Sequence, residues 1–478
     1  MTLMEPEIKI LKWIKPNSED KEKALATFEE IRKRIEKALA GSFGSYEVML
    51  EGSMAKDTWL KNDPEMDVFI VFSEELNKER LKEIVEKLSE TLKDLSPMIS
   101  FAEHPYLTIK KDMFSIDIVP AIKMGVNLRP RTAVDRTPLH TEYVLKNTDE
   151  RLRDEIRVAK AFMKGIGVYG AEIKVGGFSG YLVELLVIKY GGFRELLEAT
   201  KDWKQPVSIS LEGDGKKLKD LRERYPKSSM LLPDPADPTR NVSAALTRKK
   251  LGEFVLASWL YLEHPSLYYF SNKLEEMLVN EIGNLPLEFY AGNAVVVDIK
   301  LQSNIHPEVL WGELKKSSAS IKNLLERHGF GVIRCDEWSD ERSCAAIACL
   351  MEEKLLGPMN LVLGPPFHLR ENAAEFIEKY QKAPMSGPWL EEDGRLRSLT
   401  IRKKLSPAQI IEDSLDEVLG VDLKKGSVRV YRLSQTDRTS NYELHRWLKL
   451  FLMGKPKWLL PLYFQSALGE PREEDLFS

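Results

Sequence analysis

The segment EGSMAKDTWLKNDPEMDVFIVF, residues 51–72, constrains the fold of this chain more than any other stretch. Residues 66–72 are mainly β-branched or aromatic, which is typical of a strand in a buried sheet. Because strand side chains alternate, Glu65 and Asp67 project from one face, while the even-numbered apolar residues fill the other. Two carboxylates on one buried face repel each other unless a cation lies between them, and a hard divalent ion such as Mg²⁺ takes oxygen ligands. The segment therefore predicts a sheet that holds a metal ion at one face.

The residues just before this strand predict an anion site. Gly52 permits close approach of the backbone, and Ser53 is placed to cap a short helix over residues 54–60. Unpaired N–H groups at the start of a helix attract phosphate. A phosphate site beside a metal site indicates nucleotide chemistry.

A third acid follows on a later strand. Asp117 is the acid within MFSIDIVPAI, residues 113–122, and a buried carboxylate is costly unless it faces solvent or a cation. Three carboxylates from two strands match a site in which two metal ions clamp the attacking and leaving oxygens of a phosphoryl group. Any one of these acids could instead lie on a solvated sheet edge. The order of a Gly-Ser turn, an acid pair and a third acid favours phosphoryl transfer.

The composition is that of a soluble globular protein with several domains. Its 478 residues exceed what one core holds, which predicts about two to four domains. The first residues do not resemble a signal peptide, and no apolar run is long enough to span a membrane. With 70 basic against 74 acidic residues the net charge is −4, so any contact with nucleic acid requires a local basic patch.

The cysteines favour a reducing compartment. Cys335, Cys344 and Cys349 have spacings that match no zinc or disulfide pattern, and any pairing would leave one cysteine over.

The surrounding elements predict a mixed α+β architecture. Apolar residues recur at helical spacing over 18–40 and 77–95, which predicts two helices that cover the sheet. Further strands are predicted over 100–109 and 113–122. The β-α-β-β order over 293–352 suggests a ferredoxin-like or RNA-recognition-like domain.

Two helices carry polar residues that could serve a site. Thr137 is available to cap a helix whose first turn contains Pro138 and His140. Helix 151–165 places Lys160 close to its apolar face, with Tyr169 beyond its end. Taken alone, Lys160 is a snorkelling lysine and His140 a surface residue. The glycine cluster at 176–180 predicts close packing of neighbouring elements.

Gly52-Ser53, Glu65-x-Asp67 and Asp117, in this order, resemble the catalytic signature of the DNA polymerase β nucleotidyltransferase superfamily. More specifically, the chain resembles the archaeal-type CCA-adding enzymes, a family of tRNA nucleotidyltransferases. The segments that carry this resemblance are GSMAKDTWL, EMDVFIVF, AEHPY, SIDIVPA, AVDRTPLH, VYGAEIKVGGFSGYLVELL and DPADPTRNVSAALT.

The resemblance implies an α+β fold of four domains. A nucleotidyltransferase head with a mixed sheet would occupy residues 1–145, and a helical, nucleotide-binding neck 146–265. A ferredoxin-like or RRM-like body would comprise 266–360 and 426–478, and an α/β tail 361–425. Body and tail would bind tRNA.

The resemblance also implies roles for individual residues. Glu65, Asp67 and Asp117 would be the catalytic residues and the ligands of Mg²⁺, and Asp117 would accept the proton of the primer hydroxyl. Nucleotide contacts are implied for Gly52, Ser53, Lys56, Thr137, His140, Lys160, Tyr169 and Arg240. Among these, Arg240 would contact the base of CTP or ATP. The family usually has arginine at the position of Lys56, which keeps the charge but loses the planar fork.

The implied function is template-independent addition of CCA to the 3′ end of tRNA, with release of pyrophosphate. The tRNA would be held by its acceptor stem and TΨC arm, in the cytoplasm and without a membrane; a homodimer stays open. Two basic stretches are candidates for the RNA surface, or are merely solvated faces: Arg395, Arg397, Arg402, Lys403 and Lys404, followed by Lys424, Lys425, Arg429 and Arg432. The alternatives are a poly(A) polymerase-like terminal nucleotidyltransferase and a non-catalytic RNA-binding protein with a vestigial nucleotidyltransferase domain.

Overall fold

The computed structural model of the protein describes residues 3–73, 77–101, 105–122, 133–211, 213, 215–281, 291–302, 305–382, 385–433, 441–468, 471–472 and 476. The chain divides into two compact units, one formed by Met1–Glu281 with Lys455–Ser478 and the other by Ile282–Gly454. The four-domain division expected from the sequence is finer than these two units and stays a prediction.

The first unit begins with a five-stranded mixed sheet. Its strands are β1 (Tyr46–Glu51), β2 (Glu65–Phe72), β3 (Met98–Phe101), β4 (Pro105–Lys111) and β5 (Phe114–Ile122), in the order β1-β2-β5-β4-β3. Strands β2 and β5 are parallel, and the other neighbours are antiparallel. The helices α2 (Ser18–Leu39) and α4 (Lys78–Thr91) supply apolar residues to the core on one face of this sheet.

The side-chain alternation predicted for β2 is confirmed. Met66, Val68 and Ile70 are buried in the core with residues of α2. The opposite face is therefore the one that carries Glu65 and Asp67.

The single strand predicted over 100–109 was wrong. Two antiparallel strands, β3 and β4, occupy this region, with Phe101 opposite Pro105. A run of β-forming residues does not reveal where the chain reverses, and residues 102–104 lie outside the described part.

The rest of the first unit is mainly helical. Its helices are α1 (Glu5–Ile14), α3 (Gly52–Ala55), α5 (Ala133–Lys146), α6 (Glu150–Gly165), α7 (Gly180–Tyr190), α8 (Phe193–Ala199), α9 (Gly215–Arg224), α10 (Arg248–Glu263) and α11 (Leu274–Glu281). A short parallel pair, β6 (Val207–Ser208) and β7 (Met230–Leu231), joins them. Phe162 of α6 lies at the centre of an aromatic core, 5.4 Å from Phe193 and 5.3 Å from Tyr261 between ring centroids.

The second unit is built on a four-stranded antiparallel sheet. Its strands are β8 (Ala294–Lys300), β9 (Val332–Ser339), β10 (Cys344–Met351) and β14 (Ser427–Arg432), in the order β14-β8-β10-β9. Helix α12 (Pro307–His328) connects β8 to β9, and the short helices α14 (Pro407–Glu412) and α15 (Leu415–Val418) precede β14. This order of strands and helices is the ferredoxin-like one, as predicted.

Both faces of this sheet are covered. Odd-numbered residues of β10, such as Ile347, pack in one cluster with α12, and even-numbered ones, such as Ala348, pack in another with helix α16 (Tyr442–Met453). This explains why β10 has an uninterrupted apolar sequence.

A smaller sheet is inserted between β10 and α14. Its strands are β11 (Met359–Pro366), β12 (Ser386–Leu390) and β13 (Arg395–Ile401), in the order β11-β13-β12, and helix α13 (Arg370–Tyr380) packs on one face. The two ends of the insertion lie side by side, since the N–H of Leu356 donates to the carbonyl of Leu405 at 3.0 Å.

The remaining elements are a helix at the end of the chain and several single turns. Helix α17 (Leu460–Leu468) belongs to the first unit, where Phe464 packs against Tyr268 with 5.8 Å between ring centroids. The described part of the chain also contains five 3₁₀ turns: Lys93–Leu95, Thr200–Asp202, Leu267–Phe270, Leu423–Lys425 and Lys457–Leu459. Within the described ranges, no helix combines the length and the apolar character needed to cross a bilayer.

The sequence predicted no disulfide among the three cysteines, and this was wrong for two of them. Cys335 of β9 and Cys349 of β10 form a disulfide, and Cys344 is free. The hairpin register places the two residues directly opposite each other. Sequence spacing alone does not show this register, because it depends on the turn that joins the strands.

Candidate active site

The three predicted acids lie on one face of the first sheet. Strands β2 and β5 are parallel, and their register places Asp67 directly opposite Asp117. Glu65 lies two residues before Asp67 and therefore on the same face. The hydroxyl of Thr108 on β4 donates to Asp117 Oδ1 at 2.6 Å, which fixes that carboxylate.

These acids are electrostatically unfavourable as anions. Burial, together with the neighbouring Asp117 and Glu65, raises the pKa of Asp67 to about 6. Burial likewise raises the pKa of Glu65 and of Asp117. A cation at this face would relieve the repulsion, and the oxygen donors suit a hard divalent ion. The residues therefore fit a metal ion by their chemistry, although the described residues contain no group of three or more acidic, histidine or cysteine side chains gathered as a finished metal site.

Gly52 makes room for one of these acids. Its φ is +67°, and a Cβ at this position would collide with the carboxylate of Asp67. The predicted close approach is confirmed, but its partner within the protein is a carboxylate.

The helix predicted over residues 54–60 was wrong. Helix α3 is only four residues long, Gly52–Ala55, and Ser53 lies within it and does not cap it. Asp57 ends this segment because its φ of +53° is left-handed. A single turn of this length gives no basis for an anion site at a helix N-terminus.

Lys56 and Lys160 come together on one buried carboxylate. Lys56 Nζ lies 3.0 Å from Glu184 Oε2, and Lys160 Nζ lies 2.8 Å from Glu184 Oε1. Thr58 donates to the same Oε1 at 2.7 Å and accepts from Lys160 at 2.9 Å. Burial alone would raise the pKa of Glu184, but Lys160 and Lys56 hold it at about 2.

Tyr169 lies just after α6, beside the acids and the lysines. Burial first, and then the carboxylates of Glu65 and Glu184, hold the pKa of Tyr169 well above its usual value, so that its hydroxyl remains a donor. A Cβ at Gly180 would lie 2.7 Å from this hydroxyl. At Gly177 a Cβ would collide with a backbone carbonyl, so the close packing predicted for the glycine cluster is confirmed.

A second group of residues surrounds Asp234. Its Oδ2 accepts from His140 Nε2 at 2.9 Å and from Arg240 Nη1 at 2.8 Å. The ring of His140 stacks on Tyr181 with 3.7 Å between centroids. Burial lowers the pKa of His140, an effect that Asp234 opposes. Two of the predicted nucleotide contacts, His140 and Arg240, are thus tied to one buried acid.

Thr137 does not cap a helix as predicted. Helix α5 begins at Ala133 and contains both Thr137 and Pro138 in its interior. Because Pro138 has no backbone N–H, helix α5 lacks one hydrogen-bond donor at this position. Thr137 itself is half-buried on this helix.

Sequence reasoning missed two carboxylates that organise this site. Glu184 is the acid within the apolar run of α7 and is fully buried, and Asp234 is likewise buried. An acid in an otherwise apolar helix is a detectable signal, because such a charge requires a partner. Its partners could not be read from the sequence, because Lys56 lies 128 residues away.

The basic stretches lie in the second unit, and part of their charge is paired within the fold. Arg397 is 2.5 Å from Asp393, and Arg429 is 2.9 Å from Asp298. Lys403 is exposed between β13 and α14.

The first unit has the fold of a nucleotidyltransferase. The family model for the nucleotidyltransferase domain matches residues 29–140 of the sequence, and the family model for the tRNA nucleotidyltransferase second domain matches residues 154–271. The model of the CCA-adding enzyme C-terminal domain matches residues 293–435.

Curated relatives agree over nearly the whole chain. The CCA-adding enzyme of Saccharolobus shibatae is 37% identical over 95% of this chain and 99% of its own length. The CCA-adding enzyme of Sulfurisphaera tokodaii is 36% identical, again over 95% of this chain and 99% of its own length. The CCA-adding enzyme of Sulfolobus acidocaldarius is 34% identical over 95% of this chain and 100% of its own length. The chain belongs to the family of CCA-adding enzymes and is an enzyme of the tRNA nucleotidyltransferase class.

Solved structures with a similar fold include two other nucleotide-binding proteins. The match to the Cid1 poly(U) polymerase covers 54% of this chain and 94% of the polymerase chain, at 18% identity and a TM-score of 0.42. The match to CdnC of E. coli MS115-1 covers 56% of this chain and 96% of the CdnC chain, at 14% identity and a TM-score of 0.41. At these TM-scores neither likeness adds to the assignment.

Proposed function

We propose that this chain completes the 3′ end of tRNA by adding C, C and A from CTP and ATP, with Mg²⁺ and release of pyrophosphate. The observation that carries the proposal is the set of Glu65, Asp67 and Asp117 on one sheet face, beside two buried lysines, in a member of this family. Acids for a metal ion and cations for a triphosphate are the two requirements of nucleotidyl transfer.

The acids would have distinct tasks. Glu65, Asp67 and Asp117 would hold the metal ion, which when bound lowers the pKa of the primer hydroxyl and neutralises phosphate charge. Asp117, which Thr108 holds in place, would accept the proton of that hydroxyl.

The nucleotide would be held on both sides of these acids. Gly52, Ser53, Lys56, Lys160 and Tyr169 would face the triphosphate, whereas Thr137, His140 and Arg240 would face the rest of the nucleotide. Arg240 suits the base because its fork can donate two hydrogen bonds to an acceptor edge, and Asp234 keeps that fork in place.

The finer description of the RNA contact is part of the same proposal. The second unit would hold the acceptor stem and the TΨC arm through phosphates and 2′-hydroxyls, as in shape recognition of duplex RNA. Within the described residues of this unit, α12 and α16 cover the two faces of its larger sheet, so that single bases find no open face of that sheet on which to stack. Nuclease protection of bound tRNA would map these contacts, and sedimentation equilibrium would test whether the chain forms a homodimer.

We also propose that the protein acts in the cytoplasm, where tRNA and nucleoside triphosphates are found together.

The decisive experiment supplies the purified protein with tRNA lacking its CCA end and each labelled nucleotide in turn, with Mg²⁺ or with EDTA. The expected result is two CMP and one AMP per tRNA, and none in EDTA. Long A-tails without use of CTP would indicate the poly(A) polymerase alternative.

A variant separates catalysis from binding. Asp67→Ala should abolish incorporation while tRNA binding stays nearly unchanged, and Asp94→Ala, which removes an exposed acid of the same unit, should keep activity. Incorporation by Asp67→Ala would contradict the assigned metal site, and incorporation by neither the variant nor the wild type would favour the vestigial alternative.

A further inference from the structure

The carboxylate of Glu184 has no role in the steps above, yet it contacts two of the residues that would carry them out. One of its oxygens accepts from Lys56, and the other accepts from Lys160 and Thr58. All three partners are buried. The contacts join helix α7 to helix α6 and to the segment after α3.

The two ammonium groups differ in how completely the protein surrounds them. Lys160 Nζ donates to Glu184, to the hydroxyl of Thr58 and to its carbonyl, so its three donors all have acceptors. Lys56 Nζ donates to Glu184 and lies 5.2 Å from the centre of the Tyr181 ring. Among the described residues, Lys56 is therefore the ammonium with donors left for an incoming anion.

The carboxylate of Glu184 alone does not balance the two ammonium groups of Lys56 and Lys160. Glu51 also lies near Lys56, but its carboxylate accepts from the hydroxyl of Thr141, and burial raises its pKa, which favours the neutral form. The nearby Arg157 is balanced by Asp57 and Asp154. The carboxylates of Glu65 and Asp67 also face the lysines, but these belong to the set assigned to the metal ion.

An ion pair that only holds helices together needs no excess charge. A buried positive charge is costly unless an anion approaches it, and such a charge is what a site for a polyphosphate requires.

We propose that Glu184 is a positioning residue for nucleotide binding, which holds Lys56 and Lys160 side by side where the triphosphate of CTP or ATP binds. The inference rests on the proposed function, because it needs a triphosphate as the ligand. Without Glu184 the two ammonium groups would repel each other and lose their fixed positions.

The test measures Glu184→Gln, which keeps the size of the side chain and removes its charge. Loss of a charged hydrogen bond predicts an increase of about 10- to 100-fold in KM for CTP and ATP. The KM for tRNA and kcat should stay unchanged. The matched control is Glu155→Gln on α6, which alters another buried acid of the same unit that bonds to the N–H of Phe193.

A second measurement asks whether the effect passes through Lys56. In a Lys56→Met background, Glu184→Gln should raise the nucleotide KM by less than about 3-fold, since the ammonium group that Glu184 holds beside Lys160 is already gone and only the contact to Lys160 can still be lost. A purely structural role of Glu184 would instead give the same increase in both backgrounds, which would overturn the proposal. So would a nucleotide KM for Glu184→Gln equal to that of Glu155→Gln.

Should Glu184→Gln fail to fold, Glu184→Asp provides the test, because it keeps the charge but shortens the reach by one methylene. A nucleotide KM raised at least about 3-fold supports the proposal, and an unchanged KM contradicts it. Calorimetry with inorganic tripolyphosphate separates this inference from the proposed function. If the wild type binds tripolyphosphate and Glu184→Gln does not, the inference holds even where the incorporation assay fails to show CCA addition.

Discussion

Gly52 occupies a position that no other residue could take without moving Asp67. Two physical causes act there together: a left-handed backbone, which costs an L-residue about 1 kcal/mol, and a collision between a Cβ and the carboxylate of Asp67. The second cause links a glycine of the loop directly to the proposed metal site.

Gly52→Ala should therefore strongly reduce nucleotide incorporation and lower the free energy of unfolding only slightly. We expect incorporation to fall at least about 100-fold, because displacement by an ångström is enough to impair a catalytic group. The control is Gly191→Ala, whose φ of +85° imposes the same kind of strain with no atom near the new methyl group. Equal activity losses in the two variants would show that backbone strain, and not Asp67, is responsible.

Asp67 illustrates how a buried acid of the candidate site reduces the stability of the fold. Its pKa is raised to about 6, so in the folded protein it keeps its proton at pH values where the unfolded chain, with a pKa of 3.8, has lost it. Stability is therefore lost as the pH rises from about 4 to about 6, and the loss persists above pH 6.

Asp67→Asn should remove this loss and with it the activity. In EDTA at pH 7.5 the free energy of unfolding should increase by up to about 3 kcal/mol, an upper bound because the side chain is partly accessible, and by about half as much at pH 5. Thermal unfolding at both pH values measures the difference. Mg²⁺ should then stabilise the wild type and not the variant. A variant less stable than the wild type at pH 7.5 would refute this account.

At the residue scale the sequence predicted the positions of those candidate site residues that belong to local patterns. Glu65, Asp67 and Asp117 follow from strand alternation and strand pairing. Glu184 and Asp234 did not follow, because their importance lies in partners supplied by distant segments. Burial of a charge can be suspected from its apolar neighbours, but its counter-charge depends on the tertiary fold.

At the scale of elements, long periodic segments were predicted well and reversals were not. Helix α6 and strand β2 begin and end within a residue or two of their expected bounds. The hairpin of β3 and β4 was missed because a β-forming run does not mark its own turn. The disulfide between β9 and β10 was missed because it depends on register.

This disulfide should stabilise the second unit without serving the chemistry. It links residues 14 apart in sequence, and closing such a loop contributes about 3 kcal/mol. Cys335→Ser/Cys349→Ser should lower the unfolding temperature of this unit and leave tripolyphosphate binding unchanged. Cys344→Ser is the control, and it should still respond to a reductant as the wild type does. An unfolding temperature equal to that of the wild type would argue against the bond.

At the scale of the whole molecule, the two compact units differ in what the sequence could say about them. The first carries motifs for nucleotide chemistry, whereas the second shows only periodicity and scattered basic residues. Its ferredoxin-like order was recoverable because strand and helix lengths suffice for that. The RNA contacts expected of it depend on where charges lie in space, and several of those charges are paired within the fold.

Affinity for tRNA should therefore fall steeply with salt, since phosphate contacts release counterions. Lys403→Ala, which removes an exposed charge, should reduce the slope of log K against log salt by about 0.7–0.9 if that lysine contacts a phosphate. Lys82→Ala on helix α4 is the matched surface control. A slope close to zero for the wild type would exclude the basic stretches as the RNA surface.

The insertion that carries β11 to β13 has a consequence for how the second unit could have evolved. Its entry and exit are hydrogen-bonded neighbours at Leu356 and Leu405, and the N–H of Arg402 donates to the carbonyl of Pro358 at 2.7 Å. All four strands of the larger sheet lie outside this segment. A gene deletion that joined the two ends through a tight turn would thus leave the larger sheet intact. The small sheet could therefore be gained, exchanged or lost between lineages as one insertion.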